Sequence, residues 1–183
     1  MSTDRPLVVL DVDGPFNPYA AKRTRRPPGY ETYRLAPQGW TERRPLRVWL
    51  HPRHGDLLGA LADRTGAELV WCTTWQDEAN TLIAPRVGLP ELPVIRWSVA
   101  DPRWKYAAVL AYAGERTVAW FDDDFDAFPD ARDWFLDERA RRGARTDLHH
   151  VSPRTGLTFA DVVRVANWLG SVASTDDSEE VAT

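Results

Sequence analysis

Two groups of carboxylates stand out for the chemistry their spacing allows. Asp11-Val12-Asp13-Gly14 follows the apolar run Val8-Val9-Leu10, and Asp122-Asp123-Asp124 follows Val118-Ala119-Trp120-Phe121. Acids at i and i+2 face the same way while a strand lasts and diverge once the chain turns at Gly14. One such cluster merely ends a strand or caps the next helix. Two clusters, each after a buried strand, bring like charges to one edge of a sheet. Two unit charges ~4 Å apart repel by roughly 4 kcal/mol at an effective dielectric of about 20. A hard divalent cation removes that penalty, and Mg2+ takes oxygen ligands while keeping several waters. The pattern therefore implies a divalent-cation centre, with Mg2+ the expected ion.

The elements that must position these acids are legible in the apolar pattern. Five short runs are predicted as buried strands, over residues 6–11, 68–72, 93–97, 117–121 and 148–151. Helical spacing is predicted over 54–64, 76–84, 103–114, 130–141 and 159–169. Strands alternating with helices imply an α/β fold, a parallel five-stranded sheet with helices on both faces. Residues 15–50 break the alternation. Within them, 30–35 and 46–50 are predicted to pair as a hairpin, a small insert after the first strand. Connections this long in a compact domain are usually functional, and this one is expected to overhang the carboxyl end of the first strand, where open α/β sheets bind ligands.

The insert is also basic. Lys22, Arg23, Arg25, Arg26, Arg34, Arg43, Arg44 and Arg47 are opposed only by Glu31 and Glu42, although the whole chain carries a net charge of −4. A positive region on an acidic protein attracts an anionic substrate to one face; an ordinary solvated surface has the same composition. The 183 residues and 43% apolar content suit one domain, expected over 1–170. Residues 171–183 are small, polar and acidic, and are expected to be a disordered tail. The single cysteine, Cys72, cannot form an internal disulfide. With no signal-like segment and no long apolar stretch, the expectation is a cytoplasmic protein that makes no membrane contact. Oligomeric state is not encoded in any pattern here.

Taken in order, these segments resemble the haloacid dehalogenase-like (HAD) superfamily. Val9-Leu10-Asp11-Val12-Asp13-Gly14 is similar to its first motif, an apolar strand ending in D-x-D-G. Leu69-Val70-Trp71-Cys72-Thr73 is similar to the second, an apolar strand ending in Thr or Ser. Lys105 fits the third, a lysine in the helix before the fourth strand, and Phe121-Asp122-Asp123 fits the fourth. The chain holds two lysines against 21 arginines, so a lysine in that window is informative. The resemblance implies a Rossmann-like HAD-type fold with residues 15–50 as a flap or minimal cap.

It also implies roles. Asp11 is the nucleophile that forms an aspartyl-phosphate, and Asp13 is the acid and then the base. Thr73 bonds a phosphoryl oxygen, or Thr74 does so if the strand register differs by one. Lys105 neutralises charge on the phosphoryl group and on Asp11. Mg2+ is held by Asp11, the Asp13 carbonyl and Asp122, with Asp123 or Asp126 as the second acid of the fourth motif. Gly14, Thr74, Arg23, Arg25 and Arg26 are the candidate substrate contacts. Pro15 lacks an N–H, which removes one possible phosphate donor.

The resemblance thus implies a Mg2+-dependent phosphatase. Asp13 favours phosphoryl transfer over dehalogenation, and the short insert leaves the site open. Trp71-Cys72-Thr73-Thr74-Trp75 is similar to the W-x-T-x-W of small HAD domains associated with predicted RNA-repair proteins. With the basic insert, this suggests a nucleotide or nucleic-acid end as substrate, by analogy. The alternatives are a phosphatase of a small phosphorylated metabolite, and a non-catalytic phosphate- or metal-binding interaction module.

Overall fold

A computed structural model describes residues 5–180 of the chain, with side chains as far as residue 172. In chain order the elements are β1 (Leu7–Leu10), β2 (Glu31–Leu35), β3 (Leu46–Leu50), α1 (His54–Thr65), β4 (Glu68–Trp71), a π-helical turn (Ala79–Ile83), α2 (Ala84–Val87), α3 (Trp104–Ala113), β5 (Val118–Asp122), α4 (Pro129–Arg141), β6 (Thr146–His150) and α5 (Phe159–Glu180). Four strands form a parallel sheet in the order β4-β1-β5-β6, and β2 pairs with β3 in a separate antiparallel hairpin. This is a mixed α/β fold with two sheets.

Alternate strand residues supply the two faces of the large sheet. Val8, Leu10, Trp71, Ala119 and Phe121 pack with Leu58 and Leu61 of α1 and with Val165 and Leu169 of α5. Leu7, Val9, Val70 and Trp120 face the other way, onto Tyr106, Val109 and Leu110 of α3 and Phe135 of α4. Burying each of these apolar side chains contributes about 1.5–3 kcal/mol. The two layers fix where the strands end, and therefore where the acids sit.

The large sheet has four strands, not the five expected. Residues 93–97 make only one parallel bridge, Val94 to Trp71. Two bonds hold it: the Trp71 N–H donates to the Pro93 carbonyl at 2.9 Å, and the Ile95 N–H to the Trp71 carbonyl at 2.8 Å. Pro90 and Pro93 lack the N–H groups that would extend the ladder. The helix predicted over 76–84 is instead the π-helical turn running into α2. Pro85 has no N–H to return to the preceding turn and its ring crowds that turn's carbonyl, so the wider turn accommodates it. Helix α5 passes Gly170 and continues to Glu180, so the segment expected to be irregular from Ser171 is helical that far. No Pro or Gly follows Gly170 to stop it. Residues 181–183 of the expected tail lie outside the described residues.

The hairpin forms where the sequence places it, with Glu31 opposite Leu50 and Leu35 opposite Leu46. Leu35, Val48 and Leu50 join the same apolar cluster as Leu10 and Phe16. The insert is therefore packed into the domain along one face, and only its loop and its basic N-terminal stretch are free to approach ligands. Among the described residues no helix is long and apolar enough to cross a membrane.

Candidate active site

Register brings the two acid groups together. Leu10 lies beside Phe121 in the β1–β5 pair, so the next residues, Asp11 and Asp122, leave the sheet side by side. The Asp11 N–H donates to the Phe121 carbonyl at 3.0 Å, which extends the pairing by one step. Asp11, Asp122 and Asp123 each offer a carboxylate oxygen, and these atoms all lie within 4.8 Å of one another. Asp11 and Asp122 are buried and Asp123 is half-buried.

One cation of the chain answers this charge. The Lys105 Nζ lies 2.7 Å from Asp122 Oδ2 and 3.1 Å from Asp11 Oδ2, and all three side chains are out of solvent. It also sits 4.5 Å from the centre of the Trp104 ring, a cation–π contact. Burial alone pulls the Lys105 ammonium down, but Asp11 and Asp122 outweigh it and hold the pKa above the ordinary lysine value. The Asp122 carboxyl is pushed up, first by burial and then by the Asp11 charge, against the pull of Lys105. Trp104 opens α3 with φ of 51°, a left-handed conformation costing a non-glycine residue about 1–3 kcal/mol. Its ring stacks on Trp120 and Phe128, centroids 6.1 and 5.5 Å away, and this packing holds the helix start that delivers Lys105.

Asp13 is held separately. Its Oδ1 accepts from Asn17 Nδ2 at 2.8 Å and its Oδ2 from the Trp75 indole at 2.9 Å. Each oxygen keeps a further lone-pair direction for a ligand. Burial and the Asp11 charge raise the Asp13 pKa, while the Asn17 and Trp75 bonds oppose the rise. Asp123 is oriented by the Tyr19 hydroxyl, which donates to its Oδ2 at 2.7 Å. Burial raises the Asp123 pKa, and the Tyr19 bond pulls against it.

Gly14 has φ of 83°, and a Cβ built there lies 2.3 Å from Asp123 Oδ1. Its N–H is committed to the Asn17 carbonyl at 3.0 Å. It thus makes room for Asp123 and spends its donor inside the turn, a different part from the substrate contact expected of it. Thr73 is fully buried, and its hydroxyl accepts the Trp75 N–H at 3.3 Å. Thr74 is exposed and lines a cleft of about 350 Å³ with Asp11, Asp13, Tyr19, Trp104, Lys105, Asp123 and Asp124. Asp126 is exposed and paired with Arg132, away from the acid group, so Asp123 is the acid that joins Asp122.

The basic stretch does not reach this cleft. Arg25 and Arg26 line a different cavity together with Lys22, and Arg23 is exposed and lines neither. What flanks the cleft is the hairpin loop. Pro37, Gln38, Trp40 and Leu46 line a second cleft of about 440 Å³ with Trp75, Gln76, Asp77 and Glu78, and this cleft shares Asp13 and Thr74 with the first. Both Glu78 carboxylate oxygens accept the Gln38 N–H, which ties the loop to the body.

Tyr19 and Asn17 are not singled out by the sequence, and Trp75 stands there in the W-x-T-x-W segment with no link to Asp13. Asn17 stands four positions after Asp13 and Trp75 two after Thr73, but nothing in their spacing shows which carboxylate each braces. A divalent cation fits the acids on one further observation: Asp11 Oδ1 is buried with no hydrogen-bond partner among the described residues. A buried carboxylate oxygen left unsatisfied is costly, and a hard cation supplies the missing contact. Asp11, Asp122 and Asp123 are the residues that would hold it. No family model, no curated protein and no solved structure matches the chain.

Proposed function

We propose that this protein is a Mg2+-dependent phosphohydrolase of the HAD type that acts through an aspartyl-phosphate on Asp11. The single observation that carries the proposal is the Lys105 bridge between Asp11 and Asp122, beside an Asp11 oxygen with no partner among the described residues. Such an arrangement holds one carboxylate fixed at the cleft, with positive charge already at hand. When bound, Mg2+ supplies charge neutralisation for the phosphoryl oxygens and for the clustered acids.

In the first step an Asp11 oxygen attacks phosphorus. The Asp11 O–P bond forms, the ester P–O bond breaks, and protonated Asp13 gives its proton to the leaving oxygen. The raised Asp13 pKa favours the protonated form this step requires. In the second step water attacks phosphorus, its proton passes to Asp13, the Asp11 O–P bond breaks and phosphate leaves. Lys105 holds Asp11 in place throughout and offsets charge on the transferring group. Thr74 is placed to donate to a phosphoryl oxygen. Thr73 supports the turn through its bond to Trp75.

The leaving group must lie beside Asp13. The neighbouring cleft there is lined by Trp40, Trp75, Pro37 and Leu46 together with Gln38, Gln76, Asp77 and Glu78, and by no Lys or Arg. This suits an uncharged, flat leaving group, such as the nucleoside part of a nucleotide or a small aromatic alcohol. A small phosphorylated metabolite thus gains support from this cleft, beside the nucleic-acid end that the basic insert suggests. The test is hydrolysis of an aryl phosphate: turnover requires added Mg2+ and stops on chelation. Phosphate release that is indifferent to the chelator overturns the proposal, and binding of Mg2+ without turnover of any phosphomonoester favours a non-catalytic module.

A further inference from the structure

A further cavity lies outside the carboxylate cleft. It encloses about 680 Å³ and shares no lining residue with that cleft. Four cations line it, Lys22, Arg25 and Arg26 from the insert and Arg154 from the turn before α5, and no carboxylate does. All four are exposed. None of the four makes an ion pair among the described residues, and the Arg26 guanidinium has only a long bond of 3.4 Å to the Thr32 hydroxyl. By contrast, Arg96 is paired with Asp77, Arg116 with Glu68 and Arg132 with Asp126 and Asp133. Four cations gathered from two distant segments, with no carboxylate among the lining residues, favour an anion between them.

The interior of this cavity is of another character. His51 and His54 stack with centroids 5.0 Å apart, and Tyr30 meets both edge-on at 5.4 and 5.5 Å. Leu57, Leu157, Pro27, Pro28 and Phe159 complete an apolar wall. Phe159, at the first turn of α5, is 68% exposed and borders the cavity beside the four cations, where a ring of a ligand can reach it. Two of the lining residues carry buried polar atoms without a partner among the described residues, the Tyr30 hydroxyl and His54 Nδ1. His54 Nε2 lies 3.1 Å from the Leu157 carbonyl, so Nε2 carries the proton and Nδ1 is a bare acceptor. Buried acceptors and hydroxyls of this kind are satisfied by a ligand or by ordered water.

From this cavity we infer a second binding site, separate from the reacting centre, for a phosphorylated compound that carries a planar ring: the phosphate on Lys22, Arg25, Arg26 and Arg154, and the ring against His51 and Phe159. A mononucleotide and one nucleotide unit of a single strand share this chemistry. The site goes beyond the phosphohydrolase proposal and does not depend on it, because neither Asp11 nor any other carboxylate of the cleft takes part.

The test is direct binding to the full chain in the presence of a chelator, by calorimetry or fluorescence anisotropy. The probes are adenosine monophosphate, an oligothymidylate without terminal phosphate, and inorganic pyrophosphate. At least one of the two nucleotide probes is expected to bind. Its affinity falls tenfold or more in the Arg25→Ala/Arg154→Ala variant and is unchanged in Asp11→Asn. Both arginines are exposed, so the fold is expected to survive, and thermal denaturation verifies this. Phe159→Ala weakens the nucleotide probe several-fold but leaves pyrophosphate unaffected. Adenosine monophosphate alone marks a free nucleotide as the source. Tighter binding of the oligothymidylate, weakening with salt as phosphate contacts require, marks a strand. Absence of nucleotide binding overturns the inference. So does a loss in Asp11→Asn as large as in the arginine variant, or a pyrophosphate affinity equal to that of the nucleotides with Phe159→Ala silent.

Discussion

At the scale of single residues, the site is a balance of charges held by short bonds. Lys105 ties Asp11 to Asp122, and Tyr19 orients Asp123. Trp75 and Asn17 hold Asp13, and both bonds favour its ionised form. Trp75→Phe removes one of them while keeping most of the ring packing. The Asp13 pKa then rises further, and the acid stays protonated to higher pH. The alkaline limb of the pH–rate profile should move upward, and kcat should fall because Asp13 loses a positioning contact. A profile that keeps its limb, with only thermal stability reduced, assigns Trp75 to packing alone. Asp11, Asp13, Lys105 and the Asp122-Asp123 pair are legible in the sequence because each ends a strand or opens a helix with few competing candidates. The braces are not, because the bond from Trp75 to Asp13 spans 62 positions and that from Tyr19 to Asp123 spans 104.

At the scale of elements, the strands decide where the acids go and the turns decide how closely they approach. The register of β1 against β5 puts Asp11 beside Asp122, and the positive φ of Gly14 lets the following turn pass Asp123. Gly14→Ala should therefore cost about 1–3 kcal/mol from backbone strain and should weaken Mg2+ binding as well, since the new methyl displaces Asp123. Denaturation and calorimetry read the two effects separately. A stability loss with unchanged Mg2+ affinity removes Asp123 from the metal set. Alternation and apolar periodicity reveal the four strands, the hairpin and most helices. They mislead at 93–97, where two prolines reduce a β-like sequence to one bridge, and at 76–84, where Pro85 favours a π-helical turn. They also cannot show that the basic stretch and the acid cleft open on different cavities. That follows from how the hairpin packs through Leu35, Val48 and Leu50, a tertiary choice.

At the scale of the whole molecule, the folded chain concentrates acids that the unfolded chain spreads apart. Asp13, Asp122 and Asp123 all have raised pKa values, with burial the first cause. In the folded state these groups hold protons that the unfolded chain releases in the ordinary carboxylate range, at a pH of about 4. Without metal, folding stability should therefore fall as pH rises from that range through the folded values. Lys105 stays protonated across this interval and does not reverse the trend. On this account added Mg2+ should bind the folded state and restore the loss by an amount that rises with the logarithm of its concentration above Kd. Chemical denaturation with chelator and with Mg2+, at several pH values, checks this. Equal stability at every pH, with Mg2+ without effect, contradicts a cation-stabilised centre. The central claim is that Asp11 becomes phosphorylated, and trapping tests it most directly. The protein is mixed with Mg2+ and a radiolabelled phosphoryl donor, quenched in acid within the first turnover, digested and mapped. The account predicts label on the peptide containing Asp11, released by hydroxylamine as an acyl-phosphate should be, and absent from a folded Asp11→Asn variant. Phosphate release without any label on the protein, or label that persists in Asp11→Asn, contradicts it.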